Sequence, residues 1–194
     1  MDAKFLRNYF TDRQLKKEEL DVVLPYFKQV TFEKNDFLAQ AGKVTNYYWF
    51  LESGFIRSYT FDPEGNDITT HLYSTGDIVI DWSSFFLRRP TREYMQATEK
   101  CVCWELDFNT FQMLFHSIES FREQGRATLV GSYFALKERS ISMITDPAKE
   151  RYLRLLKEKP DIFQHASLKH IATYLGITDT SLSRIRKEIV TTDR

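Results

Sequence analysis

The spacing of hydrophobic positions along the chain changes twice. Over the first thirty residues, Leu20, Val23, Leu24 and Phe27 fall at helical intervals. From Val30 the runs become short, rich in β-branched and aromatic residues, and punctuated by Gly42, Gly54, Pro63, Gly65 and Gly76: "VTFEKNDFLAQAG", "NYYWFLESGFIRSYTFD", "NDITTHLYSTGDIVI" and "REYMQATEKCVCWELD". Between two of them, "DPEGND" predicts a tight hairpin connection, with Pro63 restricting one backbone dihedral and Gly65 freeing another. Several short strands joined by such turns predict a closed antiparallel barrel or jelly roll.

Beyond Asp107 the helical period returns, first in "FNTFQMLFHSI" and then in a long helix predicted over about residues 119–144. Two neighbouring rows run along this helix. One is Leu129, Tyr133, Leu136, Ser140 and Met143; the other is Val130, Phe134, Lys137, Ile141 and Ile144. Both follow the four-and-three spacing of a coiled-coil seam, which predicts a broad apolar face able to touch the barrel and a second copy of the helix. A helix packed only on its own barrel is the alternative. "TDP" ends it, because Pro147 disfavours helical geometry at Asp146, while Asp146 and Pro147 suit the N-cap and first position of a new helix. A domain boundary is expected there, dividing residues 1–146 from 147–194.

The last stretch, "HIATYLGITDTSLSRIRKEI", stops a helix and restarts it almost at once. Ser167 is a suitable N-cap for "LKHIATYL", Gly176 can close that helix in the left-handed conformation, and Thr178 or Asp179 can cap the next. Ile171, Ala172, Leu175, Ile177, Leu182 and Ile185 form the set that holds two short helices together across a three-residue turn. The opposite face of the second helix carries Thr180, Ser181, Ser183, Arg184, Arg186 and Lys187, the hydroxyl and cationic side chains that reach base edges and phosphates in a major groove. The expectation is a helix-turn-helix that reads double-stranded DNA.

Composition changes this picture little. With 42% hydrophobic and 15% aromatic residues, 194 residues can bury one substantial core and a small second one near the C-terminus. No apolar run approaches the roughly 20 residues of a membrane span. "MDAKFLRNYFTDRQLKKEE" lacks the apolar stretch of a signal peptide, so a cytoplasmic protein without membrane contact is expected. The net charge is zero, yet residues 147–194 hold ten Lys and Arg against six Asp and Glu, an asymmetry compatible with nucleic acid at that end. Cys101 and Cys103 alternate in "CVCWEL", so in a strand they share a face and cannot readily bridge; buried thiols are expected, too few for an all-cysteine iron–sulfur cluster.

A β-roll, a long helix and a C-terminal helix-turn-helix ending "TSLSRIRK" resemble, over nearly the whole chain, the cyclic-AMP receptor protein/FNR superfamily of bacterial transcription regulators. "DPAKERYLRLL" and "IATYLGITDTSLSRIRK" are more similar to the type found in Bacteroidetes-like bacteria than to the best-known members. The resemblance implies an α+β fold: a cyclic-nucleotide-binding-like jelly roll, a dimerisation helix, and an all-α domain of winged-helix type. It also implies a homodimer reading two half-sites about one helical turn apart, a contact with RNA polymerase, and a small-molecule effector. By position, Arg184 matches an arginine that reads a guanine. Asp179 and Thr180 stand where other members place Arg and Glu, so different bases should be preferred.

The chain departs from that family in two places. In its nucleotide binders a Gly-Glu pair holds the ribose and an Arg-Ser or Arg-Thr pair holds the phosphate. In "GDIVIDWSSFFLRRPTREYMQA" the corresponding positions are Ile80 and Asp81, then Thr91 and Arg92, which argues against cyclic AMP. Asp81 can partly imitate the Glu. Arg88, Arg89 and Arg92, with Ser83 and Ser84 as hydrogen-bonding partners, offer another anion a site, or simply a solvated basic loop. Trp82, Phe85 and Phe86 read as loop packing. Only "TTDR" follows Val190, so the wing is short or absent, either natively or by truncation. A cupin-like metalloenzyme is the competing class, but His71, His116, His165 and His170 include no His-x-His pair and no Gly-rich phosphate loop accompanies them. No metal, cofactor or catalytic residue is assigned. A sensing or interaction module without DNA binding is the third reading.

Overall fold

The computed structural model describes residues 3–13 and 15–192. Its element order is α1 (Lys4–Thr11), α2 (Lys17–Val23), β1 (Lys28–Phe32), β2 (Phe37–Ala39), β3 (Tyr47–Ser53), β4 (Ile56–Phe61), β5 (Asp67–Tyr73), β6 (Ile78–Val79), α3 (Trp82–Leu87), β7 (Tyr94–Ala97), β8 (Cys101–Asp107), α4 (Phe108–Ser117), α5 (Glu119–Thr145), α6 (Ala148–Glu158), α7 (Ile162–His165), α8 (Leu168–Tyr174) and α9 (Asp179–Thr192). The strands form two antiparallel four-stranded sheets, ordered β1-β8-β3-β6 and β2-β7-β4-β5, which close over each other as a jelly roll. Two helices precede the strands, α3 interrupts them and six follow, giving the α+β class expected.

At the N-terminus the predicted helical stretch is broken in two. Pro25 supports only a short 3₁₀ turn over Leu24–Tyr26, and Phe27 is already extended. Leu6, Phe10, Leu20, Val23 and Phe27 are buried with Phe50, Phe111 and Phe121, so α1 and α2 close one end of the roll with an aromatic-rich cluster. The two sheets enclose a second cluster that includes Trp49, Leu51, Ile56 and Met95. Cys101 and Cys103 point into it as free thiols, and burial pushes the Cys101 thiol up to about 11. Such thiols carry almost no thiolate at neutral pH and act as small apolar side chains.

Gly54, in the turn between β3 and β4, has φ +98 and lies so close to β8 that a Cβ would stand 2.6 Å from the Lys100 carbonyl and 2.7 Å from Cys101 Sγ. Only glycine satisfies both conditions. The same turn carries Phe55, and its ring leaves the roll. Phe55 and Leu72 are buried with Tyr152, Leu155, Ile162, Ile171, Ala172, Leu175, Leu182 and Ile185. The expected separate C-terminal core is therefore one shared with the roll, because the helical segment is too short to enclose both large side chains alone.

Asp146 and Pro147 lie at the bend between α5 and α6, with a correction to the expected cap. Asp146 is extended at the C-terminus of α5, and Pro147 itself precedes the first residue of α6. The Asp146 carboxylate accepts from Thr145 Oγ1 at 2.9 Å and pairs with Arg154, nearly two turns into α6, at 2.6 Å, so it does not cap the helix.

The strain at Gly54 sets a stability test. Gly54→Ala should lower the unfolding free energy by about 2 kcal/mol or more. Gly131→Ala, where a Cβ meets nothing within 4 Å, should raise it by about 0.5–1 kcal/mol. Urea denaturation at matched protein concentration measures both.

Candidate functional site

Each part of the helix-turn-helix has a local cause. Ser167 Oγ accepts the His170 amide at 3.2 Å and opens α8. Gly176, at φ +66, closes it and lets the Ile177 amide return to the Ala172 carbonyl at 3.0 Å. Of the two candidate caps for α9 it is Thr178 that acts, its Oγ1 accepting the Ser181 amide at 3.2 Å. Ile171, Ala172, Leu175, Leu182 and Ile185 are buried between the helices and α6, while Ile177 is half-buried.

That packing fixes which face of α9 looks outward. Thr178, Asp179, Thr180, Ser183, Arg184, Arg186 and Lys187 are exposed, and Ser181 is half-buried with its hydroxyl bonded to Thr178. Glu188 on the same helix pairs with Lys149 of α6 at 2.8 Å, and this contact holds its carboxyl below the usual range. The resulting surface is a helix with cationic and hydroxyl groups in solvent and a rigid apolar underside. Among the described residues no hairpin follows α9. Asp193 and Arg194, two of the charges in the C-terminal surplus, lie outside the described residues.

The cassette loop is different. Asp81 accepts the Ser84 amide at 3.0 Å and so caps α3. The buried Ser84 hydroxyl donates to the Arg89 carbonyl at 2.7 Å and accepts the Thr45 amide at 2.9 Å. Buried Thr91 accepts the Glu93 amide at 3.0 Å. Arg88 binds the Thr45 carbonyl at 3.0 Å, bonds Asn46 and lies 4.3 Å over the Phe108 ring. Three of the five suggested ligand residues are thus engaged in folding the loop, and Ser83 and Arg92 face solvent. Arg88, which the sequence offers either to an anion site or to a solvated basic loop, is exposed and bonded to residues 45–46, and its backbone is left-handed at φ 53. Phe85 is core, as expected of loop packing, whereas Trp82 and Phe86 remain partly exposed.

Sequence reasoning missed the seam between the roll and the helix-turn-helix. Asp67 of β5 pairs with Arg57 and with Lys169 of α8, both at 2.7 Å, and Arg57 Nε donates to Thr69 Oγ1 at 2.9 Å. Thr173 Oγ1 donates to the same Thr69 oxygen at 2.9 Å. Arg139 of α5 donates to the Thr70 carbonyl at 2.8 Å and to the Tyr174 carbonyl at 3.1 Å, and stacks 4.1 Å over the Tyr174 ring. One guanidinium therefore touches the roll, the long helix and α8. Lys159 with Asp77, and His165 with Glu99, add further pairs across the seam. Period and composition carry no trace of these contacts, which join side chains as far as 104 residues apart.

On α5, Leu129, Val130, Tyr133, Phe134, Leu136, Ile141, Met143 and Ile144 are all exposed, Ile144 at 83%. An apolar strip of this length on one helix is uncommon on a monomer surface. Among the described residues no group of three or more His, Cys, Asp and Glu gathers where it could hold a metal.

A family model described as "Cyclic nucleotide-binding domain" matches residues 29–117, the roll through α4. The fumarate and nitrate reduction regulatory protein of Yersinia pestis is 24% identical over 187 residues, covering 91% of this chain and 73% of that protein. The chain is thus similar to that domain family through the roll, and to a regulatory protein over nearly its whole length. Among solved structures, FixK2 from Bradyrhizobium japonicum matches this chain with a TM-score of 0.73 at 16% identity, covering 86% of each chain. A CooA mutant from Carboxydothermus hydrogenoformans matches with 0.69 at 19%, covering 93% of this chain and 88% of that one. Both matches span the roll and the C-terminal helices, so the order of domains is common to the three folds. The curated relatives are named as regulatory proteins, and no helix among the described residues of this chain is long and apolar enough to cross a membrane.

The seam has a definite acid response. Burial alone would raise the Asp67 carboxyl, but hydrogen bonds and charge from Lys169 and Arg57 outweigh it and hold the group at about 2, below its ordinary 3.8. A depressed carboxylate stabilises the fold above its unfolded value and loses that contribution as pH falls through its folded value. Acid unfolding should therefore show a loss of about 2 kcal/mol attributable to Asp67 between roughly pH 4 and 2. Asp67→Asn, compared with the parent by denaturation across that range, should lack it.

Proposed function

We propose that the protein is a homodimeric, sequence-specific DNA-binding transcription regulator of the cytoplasm, divided functionally at Asp146 and Pro147 into a sensing part and a reading part. The observation that carries this reading is the fixed underside of α9. Leu182 and Ile185 lock the helix against α8, so Thr180, Ser183, Arg184, Arg186 and Lys187 stay in solvent as one surface. In a major groove, Arg184 is placed to reach a guanine edge, and Thr178, Asp179, Thr180, Ser181 and Ser183 to set the register and neighbouring bases. Arg186 and Lys187 serve the phosphates.

Dimerisation rests on the exposed strip of α5. Two copies pairing along Leu129, Tyr133, Leu136 and Ile144 and their neighbours bury that surface and set the separation of the two recognition helices. Control then passes through whatever alters that separation. Arg139 and the Asp67 cluster hold α8 on β5, so a ligand or RNA polymerase that favours a different position of the helix-turn-helix must break these contacts. It shifts the population only by its difference in affinity for the two positions. The engaged cassette residues favour an effector other than cyclic AMP.

Selection of duplexes from a random DNA pool tests the reading. The parent protein should enrich a two-fold symmetric site that Arg184→Ala no longer selects, whereas Lys187→Ala should weaken all sequences alike and reduce the salt slope by about 1. Enrichment of nothing by the parent at low salt would reject sequence-specific binding by the protein alone. Leu136→Asp should convert the dimer to monomer in sedimentation experiments and cost affinity for the symmetric site while leaving circular dichroism unchanged; an unaltered mass would remove α5 as the seam.

A further inference from the structure

A cavity outside the cassette lies where α3, α4 and the first turns of α5 meet the roll. It encloses about 80 Å³ and opens to solvent, with Trp82 and Phe86 on one side, Phe115 on another, and Gly125, Arg126 and Leu129 along α5. None of Asp81, Ser83, Ser84, Thr91 and Arg92 lines it. Trp82 and Phe86 lie parallel, 5.8 Å between centroids, and stay partly exposed although they abut the main aromatic cluster.

Gly125 supplies a second, independent observation. A glycine inside a helix costs about 1 kcal/mol relative to alanine, so its presence asks for a packing reason. Here a Cβ would stand 3.3 Å from Phe115 Cε2, and its absence lets the phenyl ring lie on the α5 backbone and floor the cavity. A wall of aromatic rings offers a water molecule few hydrogen bonds but offers an aromatic ring edge-to-face contacts on several sides. At the open side stands the Arg126 guanidinium, paired with Glu123 at 3.1 Å and otherwise in solvent. A guanidinium has five donors, so this pair leaves capacity for another carboxylate.

We propose that this cavity binds a small aromatic carboxylate, with the ring against Trp82, Phe86 and Phe115 and the carboxylate at Arg126. The enclosed volume is about half that of the apolar cavity known to take benzene, so the ring enters by its edge and the polar end remains at the mouth. The chemistry differs from that of a cyclic nucleotide in both respects: the ring is held by aromatic faces, and the anion by one surface arginine. Leu129 lines this cavity and also belongs to the strip proposed to pair two copies, so the site adjoins that seam; it does not depend on DNA binding and is tested without it.

The three tryptophans make the test direct. Trp49 Nε1 donates to Glu105 at 3.3 Å and Trp104 Nε1 to Glu52 at 2.6 Å, both away from this cavity, so their indole N–H signals serve as internal controls for that of Trp82. The full chain, labelled with nitrogen-15, is titrated with phenylacetate, toluene and phenethylammonium, and Trp82→Phe assigns the signal. The expected result is a saturable shift confined to Trp82, tightest for phenylacetate and weakest for phenethylammonium. Phe86→Ala should weaken phenylacetate about tenfold, and Arg126→Gln about fivefold with toluene unchanged. Thr91→Ala should change neither, and thermal melting confirms that each variant is folded. A Trp82 signal that never saturates, equal shifts at all three indoles, or a preference for the cation would overturn the proposal. So would a mouth closed by a second copy of the chain, seen as a Trp82 signal that moves with protein concentration and ignores all three probes.

Discussion

The burial of Phe55 is the contact on which the relation between the two halves of the molecule depends. Its ring originates in a turn between two strands and ends inside the helical domain, with Leu72 of β5 beside it. Each such side chain is worth about 1.5–3 kcal/mol when fully removed from water. Together they commit the helix-turn-helix to one face of the roll. The turn can aim Phe55 that way only because Gly54 accepts a positive φ hard against β8. Around this apolar anchor the Asp67, Thr69 and Arg139 contacts fix orientation, since hydrogen bonds are directional where apolar burial is not.

The cassette loop is folded by its own polar side chains. Asp81, Ser84, Thr91 and Arg88 are each matched to backbone groups of the loop or of residues 45–46. A side chain so engaged reaches a ligand only by leaving a buried amide or carbonyl unpaired, at a cost of about 1–3 kcal/mol. Aromatic surface is handled in the opposite way. Trp82 and Phe86, on the same short helix, keep faces that none of the described residues covers.

Long-range order along α5 links these regions. The helix begins beside the aromatic cavity, presents its apolar strip through the middle, meets β5 and α8 through Arg139, and touches the helix-turn-helix turn where Met143 approaches Gly176. A rigid helix displaced at one end moves at the other, so a disturbance near Gly125 and the docking of α8 act on one element.

Periodicity alone carried the two halves of the fold, the long helix over nearly its full length, the two short helices with their Ser167 and Gly176 punctuation, and the outward face of α9. These are local properties: apolar spacing, caps and turn residues act over one or two turns of chain, and they read correctly from neighbours in sequence. Tertiary structure alone decided three other matters. Asp146 pairs with Arg154 and does not cap α6; Arg88 folds back onto residues 45–46; and the C-terminal core borrows Phe55 and Leu72 from the roll. In each case the deciding partner is brought in by chain folding, and a carboxylate, a guanidinium or a phenyl ring has no preference among partners until one of them is within reach.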